Sequence, residues 1–156
     1  MIAASTRPWC QPVVNLVSKL GAQGECSIVG HPVRTSILYA ALANGTIAHA
    51  DEVDATGQHG TGHFAADIVP TALSVGQFIG TSGKELCRAI ALESEIAGRV
   101  VSVMGHYDTR PQFAATVGHT MGVAICAGSL LGLNAEQMEH ALGLARRRGL
   151  RSEQPP

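Results

Sequence analysis

The chain has 156 residues, of which 46% are hydrophobic and 15% are charged. This composition suits one domain around one hydrophobic core and argues against intrinsic disorder. The formal net charge of −1 provides no electrostatic basis for binding nucleic acid or a membrane surface. Aromatic residues make up only 4%, which favours closely packed helices over an aromatic-filled β sandwich.

The four cysteines, Cys10, Cys26, Cys87 and Cys126, lie far apart and form no CxxC pair. This spacing excludes a zinc ribbon and a dithiol redox motif. The N-terminal residues lack the basic end and continuous apolar run of a signal peptide, and no apolar stretch reaches the roughly 20 residues of a membrane span. The sequence therefore predicts a cytoplasmic protein with reduced, buried thiols.

In the N-terminal half, the spacing of apolar residues predicts a helix over 12–20, ended by Gly21. A short extended patch follows at 26–30. A second helix is expected over 35–43, with a restart over 46–50 because Asn44-Gly45 is a typical break. Residues 51–66 are expected to form a loop, since Gly57, Gly60 and Gly62 make a regular helix costly.

Helical spacing continues through the C-terminal half. A third helix is predicted over 67–80, with Pro70 in its first turn, where a missing N–H does no harm. Ser82 followed by Glu85 forms a capping box that predicts the start of a fourth helix. A fifth, rich in Gly and Ala, is expected over 114–131, and Asn134 with Gln137 caps a sixth. The pattern as a whole predicts an all-α domain.

The C-terminal residues break this pattern. Arg146, Arg147 and Arg148 follow about three turns of the sixth helix, and Gly149 and two terminal prolines come after them. The basic run fits a solvated helix end, where positive charge is favourable. It also fits an out-of-frame replacement of the true continuation. We therefore divide the chain into a helical domain, residues 1–145, and an irregular basic tail, residues 146–156.

Residues 41–70 carry the chemically most interesting pattern. Three acids and three histidines occur there within a glycine-rich stretch: Asp51, Glu52, Asp54, His49, His59 and His63. Carboxylates beside imidazoles can exchange protons with a bound ligand, and glycines let the backbone approach it. Histidines that stand alone on predicted helices, His106, His119 and His140, are more typical of surface or satisfied core positions.

The run ANGTIAHADEVDAT, residues 43–56, resembles the signature of the MmgE/PrpD family. His63 with the following IVP is similar to the family's next block, and the two later helices resemble the next segments in order. The resemblance spans residues 21–145. It implies a large helical domain joined to a smaller α+β lid, usually in a homodimer. It also implies cofactor-free dehydration, decarboxylation or epimerisation of a small di- or tricarboxylic acid such as 2-methylcitrate.

The resemblance assigns catalytic roles to three residues of the loop. His63 matches the family's histidine before the proline segment and is expected to act as acid or base. Glu52 and Asp54 match the first and second acids of the motif and are expected to orient a histidine or carry a proton. The third acid is replaced by Ala55, and the proline after the histidine by Phe64.

Thr56, His49 and Gln112 are the expected substrate-binding residues. Thr56 matches the hydroxyl residue of the motif and is expected to hold a carboxylate of the substrate. Gln112 stands where the family has a second active-site histidine, so it can hydrogen-bond a substrate but cannot transfer a proton at neutral pH. The resemblance also implies active-site lysines, which in the family follow the segment that corresponds to this sequence.

Two alternatives remain open. One is a metal site made from His49, Glu52, Asp54, His59 and His63, which Gly60 and Gly62 disfavour because they interrupt a helical zinc motif. We therefore expect no metal and no organic cofactor. The other is a non-catalytic helical remnant or oligomerisation module. In either case we expect homo-oligomers, because helices that lack packing partners expose apolar faces.

Overall fold

The computed structural model describes the backbone of residues 1–20, 24–53, 55, 62–107 and 111–151, and the side chains of 1–20, 24–53, 55, 62–104 and 115–149. Within these residues the chain forms seven α-helices, one 3₁₀ turn and a two-stranded antiparallel sheet. The all-α prediction is therefore confirmed. None of the helices in this described part is both long and apolar enough to cross a membrane.

The elements follow one another along the chain as α1 (Ile2–Ser5), a 3₁₀ turn (Pro8–Cys10), α2 (Gln11–Leu20), β1 (Cys26–Ser27), β2 (Arg34–Thr35), α3 (Ile37–His49), α4 (Phe64–Ile79), α5 (Gly83–Tyr107), α6 (Pro111–Leu130) and α7 (Ala135–Arg151). The strands pair with Cys26 opposite Thr35 and Ser27 opposite Arg34.

Two of the predicted helix starts are capped as expected. The backbone N–H of Glu85 donates to the hydroxyl of Ser82 over 3.2 Å at the start of α5. At α7 the capping is reciprocal. The N–H of Gln137 donates to Asn134 Oδ1 over 2.9 Å, and the N–H of Asn134 donates to Gln137 Oε1 over 3.0 Å. Each bond satisfies a backbone donor that the first helical turn leaves open.

The larger hydrophobic cluster lies between α4, α5 and α6 and contains Phe64, Ile68, Ala72, Ala89, Ala97, Val101 and Cys126. Helix α6 approaches its neighbours closely because it presents glycine to them. A Cβ atom at Gly118 would lie 2.3 Å from Val101 Cγ2, and one at Gly122 would lie 2.9 Å from Ala97 Cβ. Both distances are shorter than any real contact, so the packing of α6 against α5 requires glycine at these positions.

A second cluster joins α1, α2 and α3 to the strand segment, with Ala4, Cys10, Val14, Val17, Ile28, Ala43 and Ile47 buried together. Asn44 links this cluster to the strands. Its side-chain oxygen accepts from the N–H of Val29 over 2.8 Å, and its amide nitrogen donates to the carbonyl of Ser27 over 3.0 Å. The Asn44 residue is 1% exposed, so these two bonds satisfy the polar atoms of a side chain that water hardly reaches.

Three boundaries differ from those that the sequence predicted. Helix α3 runs without a break through Asn44-Gly45, because the Asn44 side chain bonds to the strand segment and does not compete with its own helix backbone. Helix α4 begins at Phe64 and not at 67, since the Phe64 side chain is buried in the core. Residues 146–151, assigned to an irregular tail, continue α7 to Arg151.

The thiol prediction holds for three of the four cysteines. Cys10, Cys26 and Cys126 are free and buried, whereas Cys87 is free and exposed on α5. Burial raises the pKa of Cys10 and Cys26 above their ordinary value, and burial together with the charge of Glu93 raises the pKa of Cys126 to about 12. These three thiols are therefore protonated and unreactive at neutral pH.

Glu93, in the middle of α5, is a buried acid that the sequence did not mark. Its side chain is fully buried, and neither carboxylate oxygen accepts a hydrogen bond. The nearby hydroxyl of Ser129 donates to the carbonyl of Cys126 over 3.1 Å. Burial raises the pKa of Glu93, and the opposing effects of Ser129 and Arg88 are smaller. The arrangement favours the protonated acid.

Replacing Asn44 with alanine tests the link between α3 and the strands. Asn44→Ala leaves the Val29 N–H and the Ser27 carbonyl without their partner, so we expect urea denaturation to show a loss of about 2–4 kcal/mol of unfolding free energy. The matched control is Asn15→Ala on the exposed face of α2, expected to cost less than about 0.5 kcal/mol. Equal losses in the two variants would contradict the structural role of Asn44.

Replacing Glu93 with glutamine tests the buried acid. Its folded-state pKa lies above its unfolded-state pKa, so the contribution of Glu93 to stability is complete below the unfolded pKa. It is lost as pH rises through the folded pKa. We expect Glu93→Gln to raise the unfolding free energy by about 1–3 kcal/mol at pH 8 and to change it far less at pH 4. Exposed Glu139→Gln is the control, and identical pH profiles of all three proteins would refute this account.

Candidate active site

The loop between α3 and α4 brings two histidines together. His49 is the last residue of α3, and His63 is the residue immediately before α4. Because the end of α3 lies beside the start of α4, their ring centroids are 5.2 Å apart with the planes inclined at 53°. The two imidazoles, predicted as substrate-binding and catalytic residues, thus share one small region of the surface.

Glu52 completes this group. Its Oε1 lies 3.6 Å from Nε2 of His49, slightly beyond hydrogen-bonding distance, and the two groups form an ion pair when His49 is protonated. The backbone N–H of Glu52 donates to the carbonyl of His49 over 3.1 Å. With φ at 53°, Glu52 lies in the left-handed region, which costs a residue other than glycine about 1–2 kcal/mol. This turn is what directs the Glu52 carboxylate back towards His49.

The three side chains differ in exposure. His63 is partly buried, the His49 side chain is 46% exposed and that of Glu52 is 77% exposed. An exposed ion pair adds little to the free energy of folding. The contact between Glu52 and His49 therefore does not offset the cost of the left-handed backbone at Glu52. Two imidazoles and a carboxylate at contact distance are, however, a set that can give and accept protons at neighbouring positions of a ligand.

The structure describes only some of the other predicted site residues. Asp54, Thr56 and His59 lie outside the described residues, as does the side chain of Gln112, whose backbone belongs to the first turn of α6. Asp51 is bound elsewhere, because its Oδ2 lies 3.1 Å from Nε of Arg7. No three histidine, cysteine, aspartate or glutamate side chains of the described segments come together as metal ligands.

One pair of interacting polar residues was missed by the sequence interpretation. Asp67, in the first turn of α4, is hydrogen-bonded through Oδ2 to Nδ1 of His119 on α6. The Phe64 ring packs on the same imidazole, with centroids 4.7 Å apart. His119 looked like an isolated helical histidine because its partner lies 52 residues earlier in the chain. Only the packing of α4 against α6 reveals the pair.

The chain matches a known protein family and is similar to curated fungal proteins. The MmgE/PrpD N-terminal domain matches residues 1–152. Cis-aconitate decarboxylase of Aspergillus terreus is 26% identical over 146 residues, which is 88% of this chain and 30% of that protein. The cis-aconitate decarboxylase-like protein oryM of Aspergillus oryzae is 25% identical over 153 residues, which is 92% of this chain and 32% of that protein.

The chain thus spans about a third of the length of these curated relatives. The family match extends over nearly all of the helices described above and includes the loop that carries His49, Glu52 and His63. On this evidence the chain belongs to the MmgE/PrpD family and corresponds to its N-terminal domain.

Proposed function

We propose that the chain supplies the helical half of an active site that transfers protons on a small di- or tricarboxylic acid. The contact between the His49 and His63 rings, with Glu52 beside His49, is the observation that carries this proposal. His63 acts as the acid or base, Glu52 orients His49, and His49 binds a substrate carboxylate when its ring is protonated. Asp54, Thr56 and Gln112 are proposed as further site residues on the basis of the family motif alone.

The names of the relatives favour cis-aconitate over 2-methylcitrate as the first substrate to test. In a decarboxylation, the bond between carbon and a carboxylate breaks, CO₂ leaves, and the electron pair stays on carbon, which takes a proton from the His63 imidazolium. In a dehydration, His63 removes the proton from carbon next to a carboxylate, the electron pair forms the double bond, and the hydroxyl leaves as water after receiving that proton back from the His63 imidazolium. Both reactions need a group that titrates near neutral pH.

Neither reaction requires a metal or an organic cofactor, and we propose that the site works without one. The substrate's own carboxylates stabilise the carbanion that proton loss or CO₂ loss creates. We further propose that the protein acts in a reducing compartment such as the cytoplasm, because its cysteines are free thiols.

Replacing His63 with glutamine tests the proposed catalyst. Glutamine keeps hydrogen-bonding capacity but cannot exchange a proton, so we expect CO₂ release from cis-aconitate to fall by about 10²–10⁴-fold. His140→Gln changes an exposed histidine of α7 and should leave the rate unchanged. The second readout is the NMR signals of the His49 and His63 rings during titration with cis-aconitate and citrate. Absence of both turnover and ring shifts at ~10 mM ligand, in a folded protein, would overturn the proposal.

A second candidate function, an oligomerisation module, is favoured by exposed leucines on α3. Leu38 and Leu42, one helical turn apart, are 77% and 49% exposed. Two large apolar side chains on one helix face are typical of a surface that another protein covers. We propose that this face contributes to a homo-oligomer, and this role is compatible with the catalytic one.

Charge substitution on α3 tests this face. The double variant Leu38→Glu/Leu42→Glu should shift the chain towards a monomer in size-exclusion chromatography with light scattering, because two buried carboxylates would oppose association. The control Leu144→Glu changes an equally exposed leucine on α7, which is 63% exposed, and should leave the mass unchanged. A wild-type chain that is already monomeric would argue against the oligomer.

A further inference from the structure

A depression of about 360 Å³ lies between α4, α6 and α7, and its lining does not include His49, Glu52 or His63. It is lined by Asp67, His119, Thr120, Val123, Ala145 and Arg148. Its volume falls in the range of sites for small molecules, about 300–1,000 Å³. Val123 and Ala145 provide apolar walls, and three helices each contribute a polar or charged side chain. Sites for small ligands usually combine apolar walls with a few polar side chains in this way.

The imidazole in this depression is held in place on two sides. Oδ2 of Asp67 accepts a hydrogen bond from Nδ1 of His119, and the ring of Phe64 packs on the imidazole. Since a carboxylate can only accept, Nδ1 carries the proton, and Nε2 is the ring nitrogen left for a ligand. The His119 side chain is 21% exposed, so a ligand in the depression can reach it.

Arg148 reaches the depression because α7 approaches α6 closely at the next residue. A Cβ atom at Gly149 would lie 3.0 Å from Cα of Val117 and 2.9 Å from Oγ1 of Thr120. Glycine therefore permits a contact that a larger residue would prevent, and this contact sets the last turns of α7 beside His119. Arg146, Arg147 and Arg148 are exposed near the end of α7, as expected for a solvated helix end.

Three of the seven arginines whose side chains the structure describes are paired with a carboxylate, and Arg148 is not among them. Arg7, Arg88 and Arg99 each lie within 3.1 Å of a carboxylate oxygen. Arg148 forms no ion pair with any residue in the described segments, although it lines the same depression as Asp67. A guanidinium without a carboxylate partner in a partly apolar depression is suited to bind an anion, above all a carboxylate, through two parallel hydrogen bonds.

The charges of the depression depend on His119. Asp67 on α4 and Arg148 on α7 have opposite charges, and Thr120, Val123 and Ala145 are uncharged. With neutral His119 the formal charges of the lining cancel, and with protonated His119 one positive charge remains. An anion therefore binds more tightly to the protonated form, and by linkage its binding promotes proton uptake at His119.

We propose that this depression is a binding site for a small carboxylate-bearing anion, which Arg148 anchors and the Asp67–His119 pair contacts through a proton on Nε2. The proposal does not depend on the proposed function, since Asp67, His119 and Arg148 do not belong to the group around His63. It concerns binding alone and includes no covalent step. Of the three arginines in the run, Arg148 belongs to the proposed site. Its neighbour Arg147 lines a different depression, together with Glu139 and His140.

The experiment titrates the chain with citrate and follows the ring signals of each histidine by NMR at pH 6 and pH 8. We expect His119 to shift on binding, with affinity higher at pH 6. Arg148→Gln should weaken this binding by about tenfold or more, and Arg147→Gln, with the same change in net charge, by less than about twofold. Asp67→Asn, which removes the charge that supports the His119 proton, should reduce the difference between the two pH values.

Each outcome of this experiment either supports or overturns the proposed binding site. Shifts at His119 that disappear in Arg148→Gln but persist in Arg147→Gln support the site, whether or not His63 responds. Equal weakening by the two arginine variants would mean attraction to the basic helix end in general and would overturn it. No shift of His119 at any citrate concentration up to ~10 mM, with wild-type folding intact by circular dichroism, would also overturn it. Shifts at His63 alone would support the proposed function and refute this site.

Discussion

The packing of Phe64 and Ile68 of α4 against α6 fixes the positions of His63 and Asp67, two of the side chains discussed above. Phe64 lies 3.5 Å from the point where a Cβ of Gly118 would stand, and Ile68 lies 3.4 Å from the corresponding point at Gly122. The residue before each of these anchors is polar. His63 precedes Phe64 and meets His49, and Asp67 precedes Ile68 and meets His119. A shift of α4 by one turn along α6 would separate both pairs.

This dependence explains why the glycines of α6 matter for chemistry as well as for packing. Helices that carry only small residues at their contact can approach until backbone and side chain touch, and such contacts leave few alternative positions. His63 at the start of α4 is then held on a rigid base. Functional groups placed on a loop above a rigid scaffold are a common arrangement in enzymes. Here the scaffold is the group of α4, α5 and α6, and the loop group of His49, Glu52 and His63 lies at one end of it.

The sequence predicted the helical class and most helices, because apolar spacing and caps act locally. Ser82 with Glu85 and Asn134 with Gln137 form their bonds within one turn, so their positions could be read directly. The continuity of α3 through Asn44 could not be read, since its cause lies in bonds to Ser27 and Val29, more than ten residues away. The extension of α7 has a similar origin, because Gly149 is stabilised by contact with Val117 and Thr120 of another helix.

The candidate site shows the same division. The family motif indicated His49, Glu52 and His63, and the structure places these three together. Composition alone would have left them as members of a charged loop. The grouping of Asp67, His119 and Arg148 was not predicted, because they lie on three different helices and their proximity is a property of the helix packing. Glu93 was missed for a related reason: helical spacing shows which face of α5 is apolar, but it does not show how deeply a single acid on that face is buried.

The left-handed backbone at Glu52 has a consequence for the length of the side chain at this position. The resemblance places an aspartate here in the family, and aspartate tolerates left-handed backbone better than glutamate because its short side chain hydrogen-bonds locally. Glutamate gives up that local bond and extends its carboxylate by one methylene. The length of the glutamate side chain then sets the distance between the Glu52 carboxylate and the His49 imidazole. The backbone at Glu52 keeps a conformation that suits aspartate. The position thus combines an aspartate-type backbone with the longer reach of glutamate.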